Sequence, residues 1–142
     1  MGVINFVNES EPFVSAENLN EIQKNNVYST NEIKIGQWID GKPIYKKVLE
    51  VPISAFNSNN VYVTHGISNL GIAIAQRAFW FDNQAMVWRM MPSVYYGSSD
   101  WSSQTTIKAN EVFFELGNSV LARIQSKANV VYVIIEYTKT TD

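Results

Sequence analysis

The stretch that most constrains this chain is Gly36 to Val51, reading G-Q-W-I-D-G-K-P-I-Y-K-K-V-L-E-V. Asp40-Gly41 is a turn signal, because Gly takes positive φ freely and Asp tolerates it. The flanks suit strands, with Ile33, Ile35, Trp38 and Ile39 before the turn and Ile44, Tyr45, Val48, Leu49 and Val51 after it. Pro43 has no N–H for a ladder bond, which places it at an edge or at the first residue of the second strand. The segment therefore predicts a β-hairpin with a two-residue turn. It carries no chemistry of its own.

The pattern stays β through the rest of the chain. Val61-Tyr62-Val63-Thr64 reads as a short strand after the breaker cluster Asn57-Ser58-Asn59-Asn60. Ile72 to Phe81 and Ala85 to Met91 read as strands around the turn Asp82-Asn83-Gln84, and Pro92 to Ser103 reads as loop. Val112, Phe114 and Leu116 alternate with Glu111, Phe113 and Glu115, the mark of a half-buried strand. Val120 to Ile124 fits a strand or a turn of helix equally. Val130 to Tyr137 is apolar on both faces, so a central strand covered on both sides is expected. In a two-sheet domain the second cover could be a neighbouring subunit, and Phe113 on the face of two glutamates points the same way. Near the start, Ser15 is an N-cap candidate with Leu19 and Ile22 forming a narrow apolar stripe over about ten residues. A helix that short must pack on something else, either the domain or a partner. The division is an arm over residues 1–27, including Phe13, and a β domain over residues 28–142.

Four stretches resemble the carboxy-terminal domains of phage tail-fibre and minor structural proteins of Gram-positive phages and prophages. They are Tyr28-Ser29-Thr30-Asn31-Glu32 running into Trp38-Ile39-Asp40-Gly41-Lys42-Pro43-Ile44-Tyr45-Lys46-Lys47, then His65-Gly66-Ile67-Ser68-Asn69, and the chain end Glu136-Tyr137-Thr138-Lys139-Thr140-Thr141-Asp142. Weaker is Ala16 to Gln23, similar to the short helix preceding such domains. The resemblance implies a virion part, a homotrimeric fibre or tip made in the host cytosol, with Phe13, Leu19 and Ile22 in docking or trimerisation. No catalytic residues travel with it. Arg77 to Leu116 departs from the family pattern, and that is where specificity would lie.

Composition narrows the function. The chain of 142 residues has four Trp, seven Tyr and seven Phe but only 17% charged residues, a balance that favours strands and contact surfaces. A net charge of −2 gives no electrostatic footprint for nucleic acid. The absence of Cys removes thiol chemistry and Cys-based zinc sites. The start lacks a basic leader with an apolar stretch, and the longest apolar run is too short for a bilayer, so neither a signal peptide nor a membrane span is expected.

Enzyme chemistry finds no constellation. His65 is the single histidine and reads as a turn residue bonded to its own loop. No G-x-S-x-G elbow surrounds a serine. Glu111 and Glu115 lie about 13 Å apart along one strand, too far for a glycosidase pair. No metal loop, phosphate cradle or cofactor motif appears.

Recognition is expected in the aromatic stretch Phe79 to Trp101. Sugar rings stack on Trp and Tyr while Asp holds hydroxyls, an extension of the rule for apolar sites with few polar groups. Trp101 lies between Ser98-Ser99-Asp100 and Ser102-Ser103, which argues for a loop and against the core. Tyr95 and Tyr96 adjoin it, and Trp80 shares a strand face with Gln76 and Asp82. The candidate glycan site is therefore Trp101, Tyr96, Tyr95, Asp100, Trp80 and Asp82. Trp88, sharing a face with Met86 and Met90, is expected in the core. A structural role for Trp101, as a loop anchor or subunit contact, competes with the glycan role.

The sequence thus predicts an all-β fold, an antiparallel β-sandwich of the jelly-roll kind with a short N-terminal α-helix, forming a homotrimer. The expected function is that of a phage tail-fibre or tip protein adhering to a host-surface glycan, in the virion. Two alternatives are a head fibre or decoration protein docking through its arm, and a free-standing carbohydrate-binding module.

Overall fold

The computed structural model describes residues 27–93 and 98–142. The expected arm with Phe13, Leu19 and Ile22, and the residues Tyr95 and Tyr96, lie outside the described residues.

The strands are β1 (Ile33–Gln37), β2 (Pro43–Pro52), β3 (Asn60–Thr64), β4 (Leu70–Asp82), β5 (Val87–Met91), β6 (Ser103–Ile107), β7 (Glu111–Leu116) and β8 (Val130–Lys139), with one helix, α1 (Asn118–Lys127), between β7 and β8. They form a five-stranded sheet in the order β1-β2-β8-β4-β5 and a three-stranded sheet in the order β3-β7-β6. Every pairing is antiparallel. The mostly antiparallel β architecture is the one the alternation predicts.

The hairpin forms where it is expected, but its turn is wider than two residues. Strand β1 stops at Gln37, which pairs with Pro43, so Trp38 and Ile39 belong to the loop. The Gly41 N–H donates to Trp38 O at 2.9 Å and the Trp38 N–H donates to Lys42 O at 2.8 Å. Only Gly41 of the turn residues has positive φ, at 88°. Either primed two-residue turn centred on Asp40-Gly41 would need positive φ at Asp40, which is not found, so the loop instead places Ile39 and Asp40 at the turn centre and Gly41 after it. Asp40 closes the loop by accepting from the Lys42 N–H at 2.9 Å. Pro43 occupies the first position of β2, as its missing donor requires.

Strand β8 is central, flanked by β2 and β4. On its inner face Val131, Val133, Ile135 and Tyr137 are fully buried, and they share one core with Trp80, Val51 and Phe56, and with Val112 and Phe114 of the smaller sheet. Phe56 and Phe114 meet edge to face at 5.2 Å. The alternation read in β7 holds, with Val112, Phe114 and Leu116 buried and Glu115 exposed. Phe113 stacks on its cross-strand neighbour Tyr62 at 4.5 Å. Lys108 Nζ lies 5.1 Å from the Phe113 ring.

Two regions carried no strand or helix assignment from sequence. Strand β6 is built from Ser, Gln and Thr, which carry little apolar alternation, and it forms because β7 offers it a ladder. Segment 118–127 is helical: Val120 and Ile124, four residues apart, are its two buried residues and face the core together. The turn after β4 ties down the end of this helix. Asn83 donates to Lys127 O from both its backbone N–H at 3.0 Å and its side-chain amide at 2.7 Å. Carbonyls at a helix C-terminus lack intrahelical partners, so this contact satisfies one of them and fixes α1 against β4.

His65 is buried and hydrogen-bonds its own loop. Its Nδ1 accepts from the Ile67 N–H at 3.0 Å, and its Nε2 lies 2.8 Å from Lys108 O. Accepting at Nδ1 leaves Nε2 as the donor, so the ring joins two loops and no nitrogen remains for catalysis.

Candidate functional site

The site is a cleft where β5, the turn Ser99–Trp101 and α1 meet. It has a volume of about 500 Å³ and is lined by Trp80, Arg89, Ser93, Trp101, Ser103 and Arg123 among others.

Trp101 ends a 3-10 turn, and the surrounding serines build that turn. Ser98 Oγ accepts from the Asp100 N–H at 3.2 Å, and Ser102 Oγ donates to Ser99 O at 2.6 Å. Ser93 Oγ donates to Trp101 O at 3.3 Å and lies 2.8 Å from Ser103 Oγ. Short hydroxyl side chains compete well for nearby backbone groups, which is why a serine-rich stretch here gives a fixed turn. Trp101 is half-buried and packs against the rim of the core. The turn rests on Gly117. A Cβ at that position would overlap the backbone carbonyls of Ser99 and Asp100. Gly117 has φ −66°, open to any residue, so the glycine is present for space.

Behind the cleft lies Asp82, with 0% exposure. Its Oδ1 accepts from the N–H groups of Gln84 at 2.9 Å and Ala85 at 3.1 Å. Its Oδ2 accepts from Arg89 Nε and from Arg123 Nη1, both at 2.8 Å. Burial pushes the Asp82 carboxyl up. The bonds from Arg89, Ala85, Gln84 and Arg123 outweigh that and hold it down at about 2. The two guanidiniums also flank Trp101, with Cζ atoms 5.7 Å (Arg89) and 5.2 Å (Arg123) from the ring centroid.

The structure corrects three sequence expectations. Asp82 cannot hold a ligand hydroxyl, because both its oxygens are buried and taken; it positions Arg89 and Arg123 instead. Trp80 is 1% exposed and offers no open ring face, forming part of the cleft floor. Trp88, expected in the core, is 59% exposed. Register explains the inversion: Trp88 pairs with Phe81, and Phe81 is on the opposite face of β4 from Trp80. Both faces of β4 carry aromatic residues, so hydrophobicity does not choose between them. Trp101 lines the cleft, whereas Asp100 is exposed beside it and is not among the lining residues.

Sequence reasoning missed Arg89 and Arg123. A signal was present, since each is set in an apolar run, Trp88-Arg89-Met90 and Leu121-Ala122-Arg123-Ile124. A cation in such a run needs a buried partner.

On the far side of the five-stranded sheet an aromatic cluster faces outward. Phe79 meets Trp88 at 5.9 Å and Tyr132 at 5.4 Å, and Phe81 meets Trp88 at 5.1 Å. Among the described residues there is no group of three His, Cys, Asp or Glu side chains placed to hold a metal ion, and no helix long and apolar enough to cross a membrane. Comparison with protein-family models, with curated proteins and with solved structures finds no match in any of the three.

Proposed function

We propose that this chain is a structural protein of a phage tail fibre or tip, that its two sheets form a β-sandwich of the jelly-roll kind, and that three copies make the working unit. Its task is adhesion to a host-surface glycan, and it performs no catalysis. The observation that carries the adhesive role is the cleft itself. A half-buried indole fixed by a serine-built turn stands beside two guanidiniums already held in place, which is the apolar wall with few oriented donors that a sugar requires. Preorganised side chains lose little freedom on binding.

The outward cluster of Phe79, Phe81, Trp88 and Tyr132 supports the oligomer. Large apolar patches on a free surface mark contact sites, and Met90 at 53% exposure extends this one. The fibre reading itself rests on the resemblance of the segments Tyr28 to Lys47, His65 to Asn69 and Glu136 to Asp142. In that reading residues 1–27 serve docking or trimerisation.

Two measurements test the proposal. Light scattering of the purified chain should give the mass of three chains, unchanged on dilution; a clean monomer would remove the fibre architecture and favour a free-standing carbohydrate-binding module. Sedimentation with purified cell walls from a panel of Gram-positive bacteria should carry the chain down with at least one of them. Retention by none would remove the adhesive role.

A further inference from the structure

The charge of the cleft specifies its ligand further, an inference that rests on the adhesive reading above. Arg89 and Arg123 share a single oxygen of a single carboxylate, Asp82 Oδ2. The other oxygen is occupied by backbone N–H groups. Two cations against one anion leave one positive charge unbalanced. No other charged side chain lines the cleft among the described residues; Asp100 is exposed and is not part of the lining. The side chains of Arg89 and Arg123 remain 36% and 20% exposed, and each spends one nitrogen on Asp82. The remaining N–H groups of both forks donate to no partner among the described residues. This positive cleft belongs to a chain of net charge −2, so the attraction is local and not a property of the whole surface.

Guanidinium forks match the planar or tetrahedral oxygens of carboxylates and phosphates, and they bind them best when already oriented. Both conditions hold here, because the Asp82 bonds and the Trp101 ring fix the two side chains from opposite requirements of charge and packing. The pair Ser93 and Ser103, with hydroxyls 2.8 Å apart, adds neutral donors and acceptors at the same wall. We propose that the cleft takes an anionic carbohydrate, with the sugar against Trp101 and its carboxylate or phosphate on Arg89 and Arg123. Arg89 and Arg123 are then the residues that select charged over neutral glycans.

The test is an NMR titration of the full isotope-labelled chain at constant ionic strength, following the Trp101 indole N–H. Four probes are compared: glucose, glucuronate, glucose 6-phosphate and inorganic phosphate. Glucuronate or glucose 6-phosphate should shift the signal saturably, at least about ten-fold tighter than glucose, as a charge-assisted contact implies. Which of the two binds more tightly distinguishes a uronic-acid polymer from a phosphate-bearing one. Arg123→Gln should reduce the preference to that of glucose. Should that variant fail to fold, Arg89→Lys keeps the charge but removes the fork, and it should weaken the anionic sugar several-fold. Equal affinity for glucose and glucuronate would overturn the charge selection while leaving the adhesive reading intact. Inorganic phosphate binding as tightly as glucose 6-phosphate would overturn the carbohydrate assignment, the site then being one for the anion alone. Silence with all four probes, while the chain still sediments with cell walls, would overturn the placement of the ligand in this cleft. Loss of wall sedimentation in the unmodified chain would be the separate failure of the adhesive reading.

Discussion

Asp82→Asn should lower the unfolding free energy by roughly 2 kcal/mol, below the full cost of breaking a buried ion pair because the two guanidiniums left behind are partly exposed. The amide keeps the volume of the carboxyl and can still accept at one oxygen, so packing is nearly unchanged. What is lost is the counter-charge, and two guanidiniums are left facing a neutral group at 2.8 Å. Urea titration of both proteins measures the difference. A variant within about 0.5 kcal/mol of the parent, as for an ordinary surface change, would mean that the Asp82 pairs are not structural.

The same carboxylate gives a pH dependence whose sign is fixed. Its folded value of about 2 lies below the ordinary 3.8, so the charged form is favoured by folding. The resulting stability is fully present above pH 4 to 5 and is lost as pH falls through 3.8 toward 2. A shift of that size corresponds to at most roughly 2–3 kcal/mol, because both partner guanidiniums are partly open to solvent, which screens the pairs. The acid limb of the stability curve should be correspondingly shallower in Asp82→Asn. Identical acid limbs would assign the acid sensitivity to other groups.

Gly117→Ala should displace the turn that carries Trp101. The added Cβ overlaps two carbonyl groups of the Ser99–Trp101 turn, and backbone cannot swing aside as a side-chain end can. Position 117 cannot retreat freely either, since its N–H donates to Ser102 O at 2.9 Å. Overpacking of this kind costs about 1–3 kcal/mol, and here the strain falls on the cleft wall. The Trp101 indole N–H resonance should move while that of Trp38, which is not among the cleft-lining residues, stays in place, and binding to cell walls should fall with it. An unmoved Trp101 signal at unchanged stability would show that the turn does not rest on Gly117.

How much of this was legible in the sequence varied with the range of the interactions involved. Local chemistry was readable: the Asp40-Gly41 hairpin, the alternation of β7 and the two-faced β8 each depend on residues within one stretch. The turn width was missed because Trp38 and Ile39 are strand formers by composition, and only the pairing of Gln37 with Pro43 excludes them from the ladder. Trp80 and Trp88 were exchanged for a similar reason. The choice between inner and outer faces is made by the pairing of β4 with β8, which a single alternating segment does not encode. Trp101 was readable as a candidate from its serine flanks, although those serines make a fixed turn in place of an open loop. The Arg89–Asp82–Arg123 cluster was not readable, because it joins residues 41 positions apart through a helix whose existence the sequence left open.

The central claim is that the cleft, rather than aromatic surface in general, is where this protein adheres. The most direct measurement is sedimentation of Trp101→Ala with the cell wall that retains the parent chain, beside Tyr62→Ala as a control. Tyr62 is 54% exposed and stacked on Phe113 on the other sheet, remote from the cleft lining. With folding of both variants checked by urea titration, the account predicts that Trp101→Ala loses about 2 kcal/mol or more of binding, the scale of an interface anchor. Tyr62→Ala should bind as the parent does. Undiminished retention of Trp101→Ala would contradict the account, leaving Trp101 as an anchor for its own turn.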